Sequence, residues 1–307
     1  MINRKAFIKG GLSLTTLGAM SSSPLGVLAK SMETRVTILH TNDWHSRIEP
    51  FPMDGGPNQG LGGAAARSAL IQAIREESEH VLLLDAGDIF QGTPYYNYFG
   101  GELEFKLMTR MGYDCVTPGN HDFDGGIDGL LKQIPNAGFG FVNCNYEWNH
   151  PELKRQIQPY RIFTRGTIKI GVLGVGINLE GLVAEKSFGD IQYKDPVNSS
   201  NLAAEKLKTE MGCNLIICLS HLGYQYTNDQ MSDIVLARNS RHIDLIIGGH
   251  THTFLNKPDI QKNLDGKDVT INQSGWGGIQ LGRLDYTFSP FIDKGVSYTS
   301  SLHPIQT

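Results

Sequence analysis

Short apolar runs and amphipathic stretches alternate along most of the chain. Residues 35–40 and 81–84 are runs of β-branched or aliphatic side chains with the length of strands, and Leu70, Ile71 and Ile74 give the intervening 63–79 helical spacing. Residues 102–111 have the pattern of a second helix. Residues 114–117, 139–143 and 169–173 read as strands, the last of them after a turn at Arg165 and Gly166. A helical pattern over 202–211 precedes two wholly apolar strands, 215–219 and 243–247, and the stretches 269–272 and 280–288 read as antiparallel strands around glycines. Strands that are apolar on both faces and alternate with helices predict an α/β sandwich in which helices cover buried sheets. No internal repeat or linker breaks the pattern, so residues 30–307 are expected to form one domain.

Composition removes several classes of function. With 40% hydrophobic residues, 19% charged residues and a net charge of −4, the chain has too much apolar material and too little charge to be disordered. No apolar run reaches the length of about 18 residues that a membrane span requires. Acids outnumber bases 31 to 27, which argues against a partner made of nucleic-acid polymer. Residues 1–29 stand apart. Arg4, Lys5 and Lys9 form a basic start, no acid occurs before Ala29, and Val27-Leu28-Ala29 fits a small-x-small cleavage site. This is the pattern of an export signal peptide, and residues 3–9 resemble a twin-arginine signal whose second arginine is lysine. A periplasmic or extracellular location follows. Cys115, Cys144, Cys213 and Cys218 match no zinc spacing and read as small buried hydrophobes, with a disulfide left open.

The chemistry is concentrated where the apolar runs stop. The first is followed by Thr41-Asn42-Asp43-Trp44-His45, the second by Asp85-Ala86-Gly87-Asp88, and the third by Gly119-Asn120-His121-Asp122-Phe123-Asp124. Later runs end in Ser220-His221 and in Gly248-Gly249-His250-Thr251-His252. Ligands of open α/β sheets bind beyond the carboxyl ends of the strands, so these groups are expected to share one rim. Asp43 and His45, like His250 and His252, are separated by one residue, and in extended backbone such pairs point to the same side. Asp43, His45, Asp88, Asn120, His221, His250 and His252 supply seven oxygen or nitrogen donors. That is too many for one tetrahedral zinc but suits two ions sharing a carboxylate. Without a thiolate, soft copper or iron–sulfur chemistry is disfavoured. Each piece alone is weak: a D-x-H is common, and Gly-Asn-His-Asp favours turns in any case. The set in this order is specific.

T-N-D-x-H, G-D, G-N-H-(D/E)-F-D, S-H-L-G and G-G-H-T-H, in that order, resemble the motifs of the calcineurin-like metallophosphoesterases, and their 5′-nucleotidase branch in particular, over roughly residues 36–286. The resemblance implies a four-layer α-β-β-α sandwich with two divalent ions, Zn, Mn or Fe, at the strand ends. Carried over by position, Asp43, His45 and His252 would hold one ion, Asn120, His221 and His250 the other, and Asp88 would bridge them. His121 and Asp124 match the family's catalytic pair. His252 is a departure, since some nucleotidases have Gln or Asn there. The implied activity is hydrolysis of phosphate monoesters, nucleoside 5′-monophosphates above all, by metal-activated water. The resembled nucleotidases also carry a C-terminal nucleotide-binding domain. Too few residues follow Leu284 for it, so that domain is expected to be absent here and supplied, if needed, by a separate polypeptide.

Other residues read less sharply. His40, His80, His150, His242 and His303 are expected at the surface or behind the ligands, Trp44 at the pocket wall, Asp244 in the scaffold, and Arg47 near phosphate or at the surface. The aromatic run Tyr95–Phe99 is expected to pack, with base stacking as the alternative. Other reactions of the same fold compete with the nucleotidase reading: 2′,3′-cyclic nucleotide phosphodiesterase, sugar-nucleotide pyrophosphatase and thiosulfate-ester hydrolase. A secreted, non-catalytic binding module is the reading outside enzymes, and the intact donor set argues against it.

Overall fold

A computed structural model describes residues 33–289 and 296–306. The export signal expected over residues 1–29 lies outside them. Along the chain the elements run β1 (Thr34–Thr41), α1 (Ala64–Glu77), β2 (Val81–Asp85), α2 (Pro94–Phe99), α3 (Glu102–Met111), β3 (Cys115–Val116), α4 (Gly126–Gln133) and β4 (Gly140–Val142). There follow β5 (Tyr146–Glu147), α5 (Pro151–Gln156), β6 (Ile157–Gln158), β7 (Tyr160–Arg165), β8 (Ile168–Gly176), α6 (Glu185–Phe188), β9 (Gln192–Tyr193) and α7 (Pro196–Thr209). The last are β10 (Leu215–His221), α8 (Asp233–Asn239), β11 (Leu245–Gly248), β12 (Asp259–Lys262), β13 (Asp268–Asn272), β14 (Gln280–Phe288) and β15 (Val296–Pro304).

Two main sheets result, ordered β15-β14-β1-β2-β3-β4-β6 and β12-β13-β11-β10-β8-β7, with a small β5-β9 pair beside them. Side-chain alternation along each strand decides what lies on either side. In β10, Leu215, Ile217 and Leu219 join Ile170 and Val172 of β8, Leu245 and Ile247 of β11, and Leu82 and Leu84 of β2 in one apolar layer between the sheets. The intervening Ile216 and Cys218 point outward and pack with Ala203, Ala204 and Leu207 of α7. Leu83 of β2 turns the opposite way, toward Ile71 and Ile74 of α1 and Phe105 and Met108 of α3. Helices therefore cover the outer face of each sheet, and the four-layer α-β-β-α sandwich is realised. No helix among the described residues is long and apolar enough to cross a membrane.

Most expected elements stand within a few residues of their predicted positions, and the exceptions have local causes. Helix α7 begins at Pro196, six residues before the expected start, because the Asp195 side chain accepts a hydrogen bond from the Asn198 amide (2.7 Å) and proline occupies the first turn. Its first turns are polar and carry no apolar period. Strand β13 pairs antiparallel with β12 but parallel with β11, so only half of the antiparallel expectation holds there. The four cysteines are free, three of them buried.

Candidate metal centre

The parallel pairs β1–β2, β2–β3, β8–β10 and β10–β11 all run the same way within their sheets, and their carboxyl ends bring the expected donors together. Asp43, His45 and His252 form one group whose ligand atoms lie within 4.8 Å of one another, and Asp88, His221 and His250 form a second. Asn120 joins the second group, its Oδ1 2.8 Å from His250 Nδ1. Asp43, His45, Asp88, Asn120 and His221 are buried, whereas His250 and His252 are partly open to solvent.

The spacing argument from extended backbone does not hold. Asp43, His45, Asp88, His250 and His252 have φ of 50°, 51°, 55°, 72° and 53°, all in the left-handed region. The donors converge because the chain coils sharply just past each strand, at a cost of about 1–3 kcal/mol for each such non-glycine residue. Gly87 permits one of these coils. Its φ is +93°, and a Cβ there would lie 2.5 Å from the Gly119 amide nitrogen.

Hydrogen bonds from outside the donor set hold this geometry. Asp122, quoted in its motif but given no role by the sequence, accepts from the amides of Asp88, Ile89, Phe90 and Gly119 at 2.8–3.1 Å. It thus joins the loop of Asp88 to the loop of Asn120 and His121. Burial, and then the nearby Asp88 carboxylate, push its pKa up to about 7. Asp85 accepts from the Gly87 amide (2.9 Å) and the Thr41 hydroxyl (2.5 Å), and burial raises its pKa to about 7 as well. The Asn42 amide group donates to Asp43 Oδ2 and to the Gly275 carbonyl, both at 2.6 Å. Residues 42 and 122 lie inside the quoted motifs, a signal that marked the segments without distinguishing donors from supports.

His221 tests whether these residues suit a cation. Its Nδ1 lies 2.6 Å from the Ala86 carbonyl oxygen, which can only accept, so the proton sits on Nδ1. Nε2, buried without a hydrogen-bond partner, then turns its lone pair toward Asp88 Oδ2 at 3.1 Å. Two electron-rich atoms in that relation fit a shared positive ion. Without one, a proton takes its place: burial alone would lower the His221 pKa, but Asp88 pushes it up to about 10. Burial would raise the pKa of Asp88, yet His221 holds it below the usual carboxylate range. Burial, and then His221, lower His250 to about 4, leaving a neutral ring.

His121 and Asp124 stand beside the two groups. His121 Nδ1 is 2.8 Å from Asp124 Oδ2, its backbone amide donates to Asp88 Oδ1 (2.8 Å), and its ring lies 5.4 Å from that of His45. Two other expectations change. Trp44 is no pocket wall: it is 1% exposed, with Nε1 donating to the Arg47 carbonyl and the Arg67 guanidinium 4.0 Å over its ring. His40 is fully buried against Gly282 and Asn272, away from the surface. Arg47 lies over the Phe51 ring at 4.3 Å. Trp276, which no sequence pattern marked, stacks on His252 with ring centroids 5.5 Å apart. Tyr96 stacks on Phe90, as expected of packing, but Tyr98 and Phe99 are exposed, Phe99 stacking only on Tyr95, so the packing expectation holds for part of the aromatic run. Asp244 supports the scaffold, accepting from the Ile216 amide.

Comparison with known proteins gives the family. The sequence profile of the calcineurin-like phosphoesterases matches residues 36–254. The chain is 36% identical over 290 residues to a snake venom 5′-nucleotidase of Naja atra, covering 88% of this chain and 53% of that protein. It is 34% identical over 304 residues to a 5′-nucleotidase of Rattus norvegicus, covering 92% and 50%. The crystal structure of a 5′-nucleotidase precursor from Thermus thermophilus superposes with a TM-score of 0.78 at 31% identity, over 89% of this chain and 55% of that one. The chain thus spans about half the length of the relatives it matches. With two donor groups at the strand ends and a profile match over most of its length, the chain belongs to the calcineurin-like phosphoesterases.

Proposed function

We propose that this chain is an exported hydrolase of phosphate monoesters, nucleoside 5′-monophosphates among them. Asp43, His45 and His252 would hold one divalent ion, Asn120, His221 and His250 the other, and Asp88 would bridge them. The observation that carries this reading is the position of Asp88 Oδ2, 3.9 Å from His45 Nε2 and 3.1 Å from His221 Nε2. One oxygen faces an imidazole of each group, the place a bridging ligand occupies. When bound, two divalent cations would neutralise phosphate oxygens and lower the pKa of a bound water toward about 7.

The protein's own groups supply the remaining steps. Burial would lower the pKa of His121, but Asp88 and the bond to Asp124 raise it. Asp124 takes up Nδ1, which leaves Nε2 to face the leaving oxygen and donate a proton to it. None of these groups reads a base. Nucleotide selectivity is therefore assigned to a nucleotide-binding domain supplied by a separate polypeptide, with residues 30–307 acting as one catalytic domain and residues 1–29 directing export to the periplasm or beyond.

The test is phosphate release from AMP and from an aryl phosphate by the isolated chain with added Mn²⁺ or Zn²⁺. Similar, modest kcat/KM for both esters is expected, because little binding energy from the remote part of the substrate is available to orient the reacting part. Strong selectivity for AMP would overturn the need for a second polypeptide. Failure to cleave either ester, alongside turnover of a cyclic nucleotide, a sugar nucleotide or a thiosulfate ester, would move the chain to another reaction of this fold.

A further inference from the structure

Ser220 and Gly248 are register partners in the parallel pair β10–β11; Ser220 directly precedes the candidate ligand His221, and Gly248 stands two residues before His250. Asp233, fully buried at the start of α8, reaches both of them. Its Oδ1 accepts the Ser220 hydroxyl, which in turn accepts the Leu222 amide at 3.4 Å, so the backbone is held on either side of His221. Its Oδ2 has no hydrogen-bond partner and fills the space a side chain on Gly248 would need: a Cβ there would fall 2.2 Å from it. The Asp233 amide is anchored by the Gly223 carbonyl at 2.8 Å. A buried carboxyl group left half unsatisfied is costly, yet it stands between two strand ends that each lead to a candidate ligand.

We propose that Asp233 is a positioning residue for the second metal group, a clamp between the ends of β10 and β11 that sets the separation and orientation of His221 and His250. It touches neither ion nor substrate. The inference rests on the reading of Asp88, His221 and His250 as ligands of the second ion, and the experiment separates the two.

Metal-free wild type, Asp233→Ala, Asp233→Asn and Ser220→Ala are titrated with Mn²⁺ or Zn²⁺, with ions counted per chain and the thermal midpoint of each metal-free protein recorded. Wild type is expected to bind two ions. In Asp233→Ala one of the two steps should weaken by about 10–100-fold, the usual loss when a group supporting a metal ligand is removed, while the other is unchanged. Ser220→Ala should weaken the same step by less. Asp233→Asn keeps an oxygen for the Ser220 hydroxyl and should restore wild-type binding. A merely structural role would lower the thermal midpoint and weaken both steps together, and that result overturns the inference. Two ions bound by Asp233→Ala as tightly as by wild type would overturn it too, while leaving the metal reading intact. A wild type that binds fewer than two ions would overturn the metal reading and the inference with it. If Asp233→Ala does not fold, Ser220→Ala carries the test, and unchanged binding in that variant overturns the inference.

Discussion

Between the sheets, Val36, Ile38, Leu82, Leu84, Ile217, Leu219, Leu245 and Ile247 are fully buried on regular strands. A few residues further along the same strands, Asp43, His45, Asp88, His250 and His252 sit in left-handed backbone and bring imidazoles and carboxylates close to one another. The inter-sheet layer comes close to satisfying itself, because extended backbone is paired in the ladders and most of its side chains meet apolar neighbours, the partnerless Tyr286 hydroxyl being an exception. The rim does not satisfy itself. It gathers strained residues, a buried imidazole nitrogen without a partner at His221 and a buried carboxyl oxygen without one at Asp233. The rim is held in this state by the rigidity of the layer beneath it, so stability and activity should respond to different residues.

The sharpest test of that separation is Asp88→Asn. Its activity is expected to fall by about 10⁴-fold or more, since the several kcal/mol of charge stabilisation that bound metal supplies converts to about that factor. Metal analysis of the purified variant should show ion loss. Two ions per chain with normal turnover would remove Asp88 from the bridge.

His121→Ala is expected to have the next largest effect, lowering kcat by about 10²–10⁴-fold with metal content unchanged. The loss should shrink for nitrophenyl phosphate, whose leaving group needs no proton. Loss of metal together with activity would make His121 a ligand and not a proton donor.

The smallest effect is predicted inside the fold, at His40. Its Nε2 accepts from the Asn272 side chain at 3.0 Å, and burial lowers its pKa to about 3 from an ordinary value of about 6.5. The unfolded chain therefore binds a proton that the folded chain refuses. The resulting contribution to stability is full above about pH 6.5 and is lost as pH falls toward 3. His40→Gln should flatten this part of the acid limb in denaturant unfolding measured across pH, while turnover at neutral pH changes little. An unchanged acid limb would show that His40 titrates normally.

Several positions show how far the sequence reached and where it stopped. The alternation of apolar runs placed β1, β2, β10 and β14 and set α3 at Glu102–Met111, because burial on one or both faces is written directly into side-chain type. It missed α2, α4, α5, α6 and α8, helices too short for a helical period to repeat. His40 and Trp44 were misplaced because a polar or amphipathic residue type does not reveal which side of a strand or loop it occupies.

By itself the sequence determined which chemical groups stand at the strand ends and in what order, since a parallel α/β arrangement sends every such end to one rim. The tertiary structure alone decided how they meet. His250 finds Asn120 across 130 positions, His45 finds His252 across 207, and Asp122 gathers the amides of a loop 32–34 residues earlier. Left-handed turns made those contacts, where the sequence suggested extended backbone. Local periodicity reports the average direction of a side chain relative to its own backbone. A ligand atom is placed to a fraction of an ångström by hydrogen bonds to residues far away in the chain, and those exist only once the two sheets have packed.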